Sequence, residues 1–224
     1  MPSPKLHAPG ELDFVPSLKE VGTVDPHASI EQIASEPRLV GASYEEAWAH
    51  GGPLARRVLG AIGAFDCPGS LFPIVDTRCQ RLMPGMYSAI PGWHCDDWPR
   101  PGYGLQPEPS RVDERARHFT ASIDSWNGEL CPTEFVSEPV HLALTGESLW
   151  RSVHRGIEAL KPSTETLGPG SVLRFGSHTI HRATPARVRG WRFWFRLSFM
   201  HTKPEKALTV GPEQVYVLSE ENGW

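Results

Sequence analysis

The chain has no run of like charges. Its 22 lysines and arginines and 26 aspartates and glutamates, net −4, are interspersed along 224 residues. A basic tail or stripe for nucleic acid is missing, so no nucleic-acid partner is expected. Long apolar runs are missing too. The best candidate, Val58 to Val75, is broken by Asp66, Pro68 and Pro73, so no membrane span is expected. The opening stretch has no apolar segment and carries Glu11 and Asp13, which argues against a secretory signal. Cysteine is sparse: Cys67, Cys79, Cys95 and Cys131 are far apart and form no Cys-x-x-Cys. A zinc ribbon or a redox pair is thereby disfavoured, and reduced thiols in the cytoplasm are the expectation.

What is plentiful is punctuation. The 22 prolines and 21 glycines make roughly a fifth of the chain, against about 12% in average usage. They are neither periodic nor confined to one linker. Breakers spread this evenly argue for many short strands and against a helical bundle. Residues 1–28 read as a Pro-rich arm. Ser29-Ile-Glu-Gln32 and Ser43-Tyr-Glu-Glu46 fit capping boxes, so helices are predicted to start near 30 and 44. Gly51-Gly52-Pro53 interrupts the second, after which Leu54, Val58, Leu59 and Ile62 share a helical face.

Beyond Pro68-Gly69 the pattern is β. Strands are predicted at Ile74–Leu82, Met86–His94, His118–Ser125, Glu134–Val136, Val140–Leu144, Ser171–Phe175, Thr179–Ala183, Trp191–Met200 and Val215–Leu218. One helix is expected among them, because Leu149, Val153, Ile157 and Leu160 fall on one face. The fold class is therefore mainly β with N-terminal helices, a sandwich or jelly roll. The expected organisation is one domain. Residues 1–70 form an arm and helices, and 71–203 a β core with an inserted loop at 99–117 and a helix at 148–160. Residues 204–224 form a C-terminal extension.

Two places carry chemistry. The first is Gly92-Trp-His94-Cys-Asp96-Asp97. A His and an Asp two apart on a strand face the same way, so they offer an imidazole nitrogen and a carboxylate oxygen to one ion. The second is His178-Thr-Ile-His181-Arg-Ala-Thr-Pro185, followed by Gly190-Trp-Arg192-Phe-Trp-Phe-Arg196. Arg192 and Arg196 share one face of a strand, and Trp191, Phe193, Phe195 and Leu197 take the other. His94, Asp96 and a distant histidine make the two-histidine, one-carboxylate set of a non-haem iron site with open positions.

In these phrases the chain resembles the Fe(II)/2-oxoglutarate-dependent dioxygenases, over roughly residues 75–200. The resemblance rests on His94-x-Asp96, His181-Arg-Ala-x-Pro, and Arg192 eleven residues on, a spacing similar to that in taurine dioxygenase and phytanoyl-CoA hydroxylase. It implies a double-stranded β-helix, the cupin-like jelly roll. It implies Fe(II) on His94, Asp96 and His181, with 2-oxoglutarate and O2 as cosubstrates. Arg192 or Arg196 would hold the far carboxylate of the oxo acid, and Tyr87 is a further cosubstrate-binding candidate. The implied reaction oxidises a substrate C–H bond and releases succinate and CO2.

Alternatives stay open at this level. His178 competes with His181, Asp97 with Asp96, and Arg196 with Arg192. His118 and His141 read as structural, and Cys95 as a packed residue facing away from the metal. The substrate class is a small molecule or a peptide, with the 99–117 loop and the 148–160 helix as its rim. Loop arginines Arg100, Arg111, Arg115 and Arg117 could meet an anion or simply face water. A cupin metalloenzyme that does not use 2-oxoglutarate, or a non-enzymatic jelly roll, would share much of this pattern.

Overall fold

The computed structural model describes residues 10–201, except 66, 68, 103–105, 127–129, 146 and 147. The predicted strand at Val215–Leu218 and the extension from 204 lie outside the described residues. Among the described residues the fold is mainly β, with four α-helices and three antiparallel sheets.

The helices start where their caps dictate. The Ser29 hydroxyl accepts from Gln32 N–H while the Gln32 side chain accepts from Ser29 N–H, opening α1 at Ile30–Ala34. Ser43 caps α2, Tyr44–His50, through Glu46 N–H. Pro53 occupies the first turn of α3, Pro53–Ile62, where its missing N–H costs nothing. The buried Glu36 carboxylate accepts from Leu54 and Ala55 N–H and so caps α3 from a distance. Gly52 is required there, because a Cβ would run into that carboxylate.

The large sheet has six strands: β2 (Leu18–Thr23), β9 (Ser171–Gly176), β5 (Arg117–Asp124), β11 (Gly190–Met200), β4 (Phe72–Leu82) and β3 (Ala42–Ser43), in that order across the sheet. β11 is its spine. Phe193, Phe195, Leu197 and Phe199 point to one face and are buried against Leu54, Val58, Leu59 and Ile62 of α3. Burying side chains of this size contributes about 1.5–3 kcal/mol each. The opposite face carries Arg192, Trp194 and Arg196. The smaller sheet runs β10 (His181–Ala183), β6 (Thr133–Val136), β8 (Thr164–Leu167). Phe135 and Leu167 from it pack on Leu173 and Phe175 of β9, so the two sheets face each other. The third sheet pairs β1 (Glu11–Phe14) with β7 (Val140–Ala143), next to α4 (Leu149–Leu160).

Three sequence expectations need correction. The arm before residue 28 is not featureless: β1 and β2 join sheets, with Phe14 fully buried. The stretch Met86–His94 is not a regular strand. It touches the β10 region only through isolated bridges at Tyr87–Pro185, Pro91–Ala183 and His94–His181. Pro84 and Pro91, with Gly85 and Gly92 both at positive φ, break its ladder. β8 escaped notice because Thr164, Glu165 and Thr166 are exposed and only Leu167 is buried.

No helix among the described residues is long and apolar enough to cross a membrane.

Candidate metal centre

A double backbone bridge sets the site. His94 N–H donates to the His181 carbonyl at 3.0 Å, and His181 N–H donates to the His94 carbonyl at 2.9 Å. A residue pair that exchanges both bonds projects both side chains from one face. The two rings lie 4.8 Å apart, centroid to centroid. Their orientation is fixed from behind: His94 Nδ1 lies 2.9 Å from the Gly92 carbonyl and His181 Nδ1 3.1 Å from the Thr179 carbonyl. A carbonyl only accepts, so each Nδ1 carries the proton and each Nε2 presents its lone pair forward.

Asp96 completes the set. Its carboxylate oxygens lie 3.8 Å from His94 Nε2 and 3.4 Å from His181 Nε2. One ligand atom from each of His94, Asp96 and His181 lies within 4.8 Å of the others, a spacing that one metal ion can bridge. Immediately after Asp96 the chain turns at Asp97, whose φ is 56°. Asp97 therefore leaves the ligand group and meets Arg196 at 3.4 Å and His118 Nδ1 at 3.7 Å. His178 also stands apart, its ring tilted against Trp98 at 5.4 Å and absent from the cavity lining.

The electrostatics suit a cation. Burial, aided by His181, pushes the His94 pKa down to about 4, so its imidazole is neutral at pH 7. Burial also disfavours the ionised Asp96, yet Arg196 and then His181 hold its carboxyl well below the usual range. His181 is raised, since burial opposes its charge but Asp96 outweighs that, so without a metal its Nε2 favours a proton that an incoming ion would have to displace.

The set opens on a cavity of about 1010 Å³. The cavity takes one wall from the polar face of β4 and β11. Arg196 is ion-paired there, reaching Asp76 at 3.0 Å, Asp96 at 3.0 Å and Asp97 at 3.4 Å, while its Nε has no hydrogen-bond partner among the described residues. Arg192 differs. It is 3% exposed, its recorded contact is Thr133 Oγ1 at 3.4 Å, and its Nε finds no partner among the described residues. Tyr87 bridges Pro185 and does not line the cavity. Cys95 is buried at 3% exposure among Trp93 and Trp98, yet it also contributes to the cavity lining, so it does not face wholly away from the site as expected.

Other histidines serve elsewhere. His118 is buried with Nδ1 2.9 Å from Ser198 Oγ, and burial lowers its pKa. His141 is exposed beside Asp13. Among the loop arginines, Arg111 pairs with Glu108, Arg115 pairs with Asp113, and Arg117 donates to the Glu114 and Ala116 carbonyls. Only Arg100 of that group lines the cavity.

Arg78 of the lining and Asp76 behind Arg196 went unnoticed in the sequence. Asp76 and Arg78 sit opposite Arg196 and Trp194 in the β4–β11 register, so their even parity on β4 was the available signal. A second staple was also missed. Trp93 and Arg182, the neighbours of the two histidines, turn outward together. Arg182 lies 4.3 Å over the Trp93 ring, and both donate to Glu158 Oε1 of α4, at 2.9 and 2.7 Å. Arg182 also binds Glu134 at 2.8 Å.

No family model matches the chain, and no curated protein matches it. Among solved structures, a non-haem monooxygenase, ThoJ, in a nickel complex aligns over 85% of this chain and 73% of its own. The identity is 14% and the TM-score 0.36, too weak a likeness to carry any conclusion about this chain.

Proposed function

We propose that the protein is a metal-dependent oxygenase that uses Fe(II) and a 2-oxo acid such as 2-oxoglutarate to oxidise a C–H bond. The observation that carries this reading is the convergence of His94, Asp96 and His181 at the base of a cavity that also contains a buried arginine. Two neutral imidazole nitrogens and one carboxylate suit a borderline divalent ion and leave coordination positions open. The fold supports the same reading. From β8 to β11 successive strands alternate between the small and large sheets, as in a double-stranded β-helix.

Each residue has a defined task. His94 and His181 hold the ion through Nε2 while the Gly92 and Thr179 carbonyls keep the rings in place. Asp96 supplies the anionic ligand, and Arg196, anchored on Asp76, fixes its orientation. Arg192 offers a buried cation to the far carboxylate of the oxo acid, by a charge-assisted bond that partners its orphaned Nε. The iron and the cosubstrate supply the oxidising chemistry. Phe135, Phe175 and Trp150 shield the site from water.

Anaerobic titration with Fe(II) and 2-oxoglutarate tests this. A weak visible charge-transfer band is expected, lost in His181→Ala and displaced to much higher 2-oxoglutarate concentrations in Arg192→Ala. A folded protein that shows no band contradicts the reading. A band unaffected by Arg192→Ala reassigns the oxo-acid anchor.

A further inference from the structure

Helix α4 grips the ligand-bearing segments along one line. Trp150, His154 and Glu158 are spaced four apart, so they form a ridge down one side of the helix. The Trp150 ring meets the His94 ring edge to face, 6.4 Å between centroids. The Trp93 backbone N–H donates to His154 Nδ1 at 3.4 Å. Glu158 Oε1 accepts from the Trp93 indole N–H at 2.7 Å and from Arg182 at 2.9 Å. The packing agrees. Trp93 and Cys95, which flank His94, and Ile180, which precedes His181, share one buried cluster with Leu149, Trp150, Val153 and Ile157 of α4. The helix is itself tied down: Leu149 N–H donates to Gln106 Oε1 at 3.1 Å, and Ser152 Oγ accepts from Thr145 N–H at 2.8 Å.

We infer that α4 is the positioning element of the metal centre and that Trp150 and Glu158 are its positioning residues. They act on the metal through His94, Trp93 and Arg182. The inference rests on the reading of His94, Asp96 and His181 as one metal site, and it does not depend on which cosubstrate that site uses. The two histidines are not equally supported by strands. His181 opens β10, which pairs with β6, whereas His94 lies outside any regular strand and meets β10 through a single bridge. α4 gives His94 the support that a second neighbouring strand would give. It does so at two places, Trp150 on the cavity side and Glu158 on the exposed side. Partners that orient metal ligands from behind typically cost about 10–100-fold in metal affinity when removed. Trp150 also lines the cavity, so the wall a substrate meets and the support of His94 are the same residue.

The test uses the full-length protein and Co(II), whose visible bands report ligand geometry. Titration gives the affinity. The spectrum at saturating cobalt gives the geometry, and there a variant that is only less stable keeps the parent's bands. Glu158→Ala should weaken cobalt binding about tenfold and shift the bands. Glu158→Gln keeps an oxygen that accepts from Trp93 and Arg182, so it should restore most of both. Trp150→Ala should shift the bands, and Trp150→Phe, which keeps a ring against His94, should move them back towards the parent. If Trp150→Ala does not fold, the Glu158 pair decides. Leu160→Ala, on an exposed residue of α4 off the ridge, should match the parent. Parent-like affinity and bands in Glu158→Ala overturn the inference, as does an equal effect in Leu160→Ala, or a Glu158→Gln variant no better than the alanine one. A parent that binds no cobalt is a different failure: it overturns the metal reading itself, and this inference with it.

Discussion

Removing Arg196 should damage the metal-free protein far more than a surface substitution. The guanidinium lies between Asp76, Asp96 and Asp97, and none of the four side chains exceeds 22% exposure. What Arg196→Ala leaves behind is the costly part: three poorly solvated carboxylates close together. Breaking a buried pair by deleting one partner costs about 3–5 kcal/mol. Asp76 keeps one compensation, accepting from Gly41 N–H at 2.9 Å, and Asp96 keeps the two histidines. The loss should therefore fall near the lower end, ~3 kcal/mol. Arg196→Lys keeps a charge but not the fork, and should recover roughly half of that loss. A divalent ion on Asp96 replaces part of the missing positive charge, so added metal should stabilise the alanine variant more than the parent. Urea unfolding in chelator and in zinc, on all three proteins, measures both effects. An alanine variant within ~0.5 kcal/mol of the parent in chelator would refute the reasoning, since that is the range of an ordinary surface change. So would a lysine variant as unstable as the alanine one.

Further outcomes follow from the same geometry. Arg182→Ala removes two ion pairs and the stacking on Trp93, and should cost about 2 kcal/mol by urea unfolding, with Glu158 discounted for its exposure. It should also weaken metal binding about tenfold, because the bridged His94 and His181 strands lose their outer staple; unchanged metal affinity contradicts the staple. Trp93→Phe keeps the ring and loses only the hydrogen bond to Glu158, so it should show about 1 kcal/mol of that destabilisation. Burial raises the Glu36 pKa above its ordinary value. The stability linked to it is therefore full below the ordinary carboxyl pKa and lost as pH rises through the folded value. Parent stability minus that of Glu36→Gln should fall with rising pH in that window, measured by parallel urea titrations; a difference that grows with pH contradicts the shift.

The candidate ligand set was legible in the sequence through the resemblance, whose motif falls on His94-x-Asp96 and His181, and the structure brings these three together. The mechanism of convergence was not legible. A regular strand was the expected reason that His94 and Asp96 share a face, yet the stretch is irregular. What aligns the histidines is a two-bond bridge between residues 87 positions apart, and no local pattern announces it. The choice between Arg192 and Arg196 also depended on the partner strand. Only the strand registers reveal that Arg196 faces Asp76, which pairs with it, and that Arg192 faces Gln80 on β4 and the buried Asp124 on β5. The helices were legible at their starts because Ser29, Ser43 and Pro53 act locally. The long-range cap from Glu36 and the strand pairing of β1 and β2 required tertiary contacts.

The account rests on His94, Asp96 and His181 acting as one metal site. Anaerobic calorimetric titration with Fe(II) tests that most directly. One ion per chain is predicted, with affinity falling at least about 100-fold in His94→Ala, Asp96→Ala and His181→Ala alike, and little changed in His178→Ala and Asp97→Asn. Parent-like affinity in any of the first three variants, or an equal loss in His178→Ala, would contradict it.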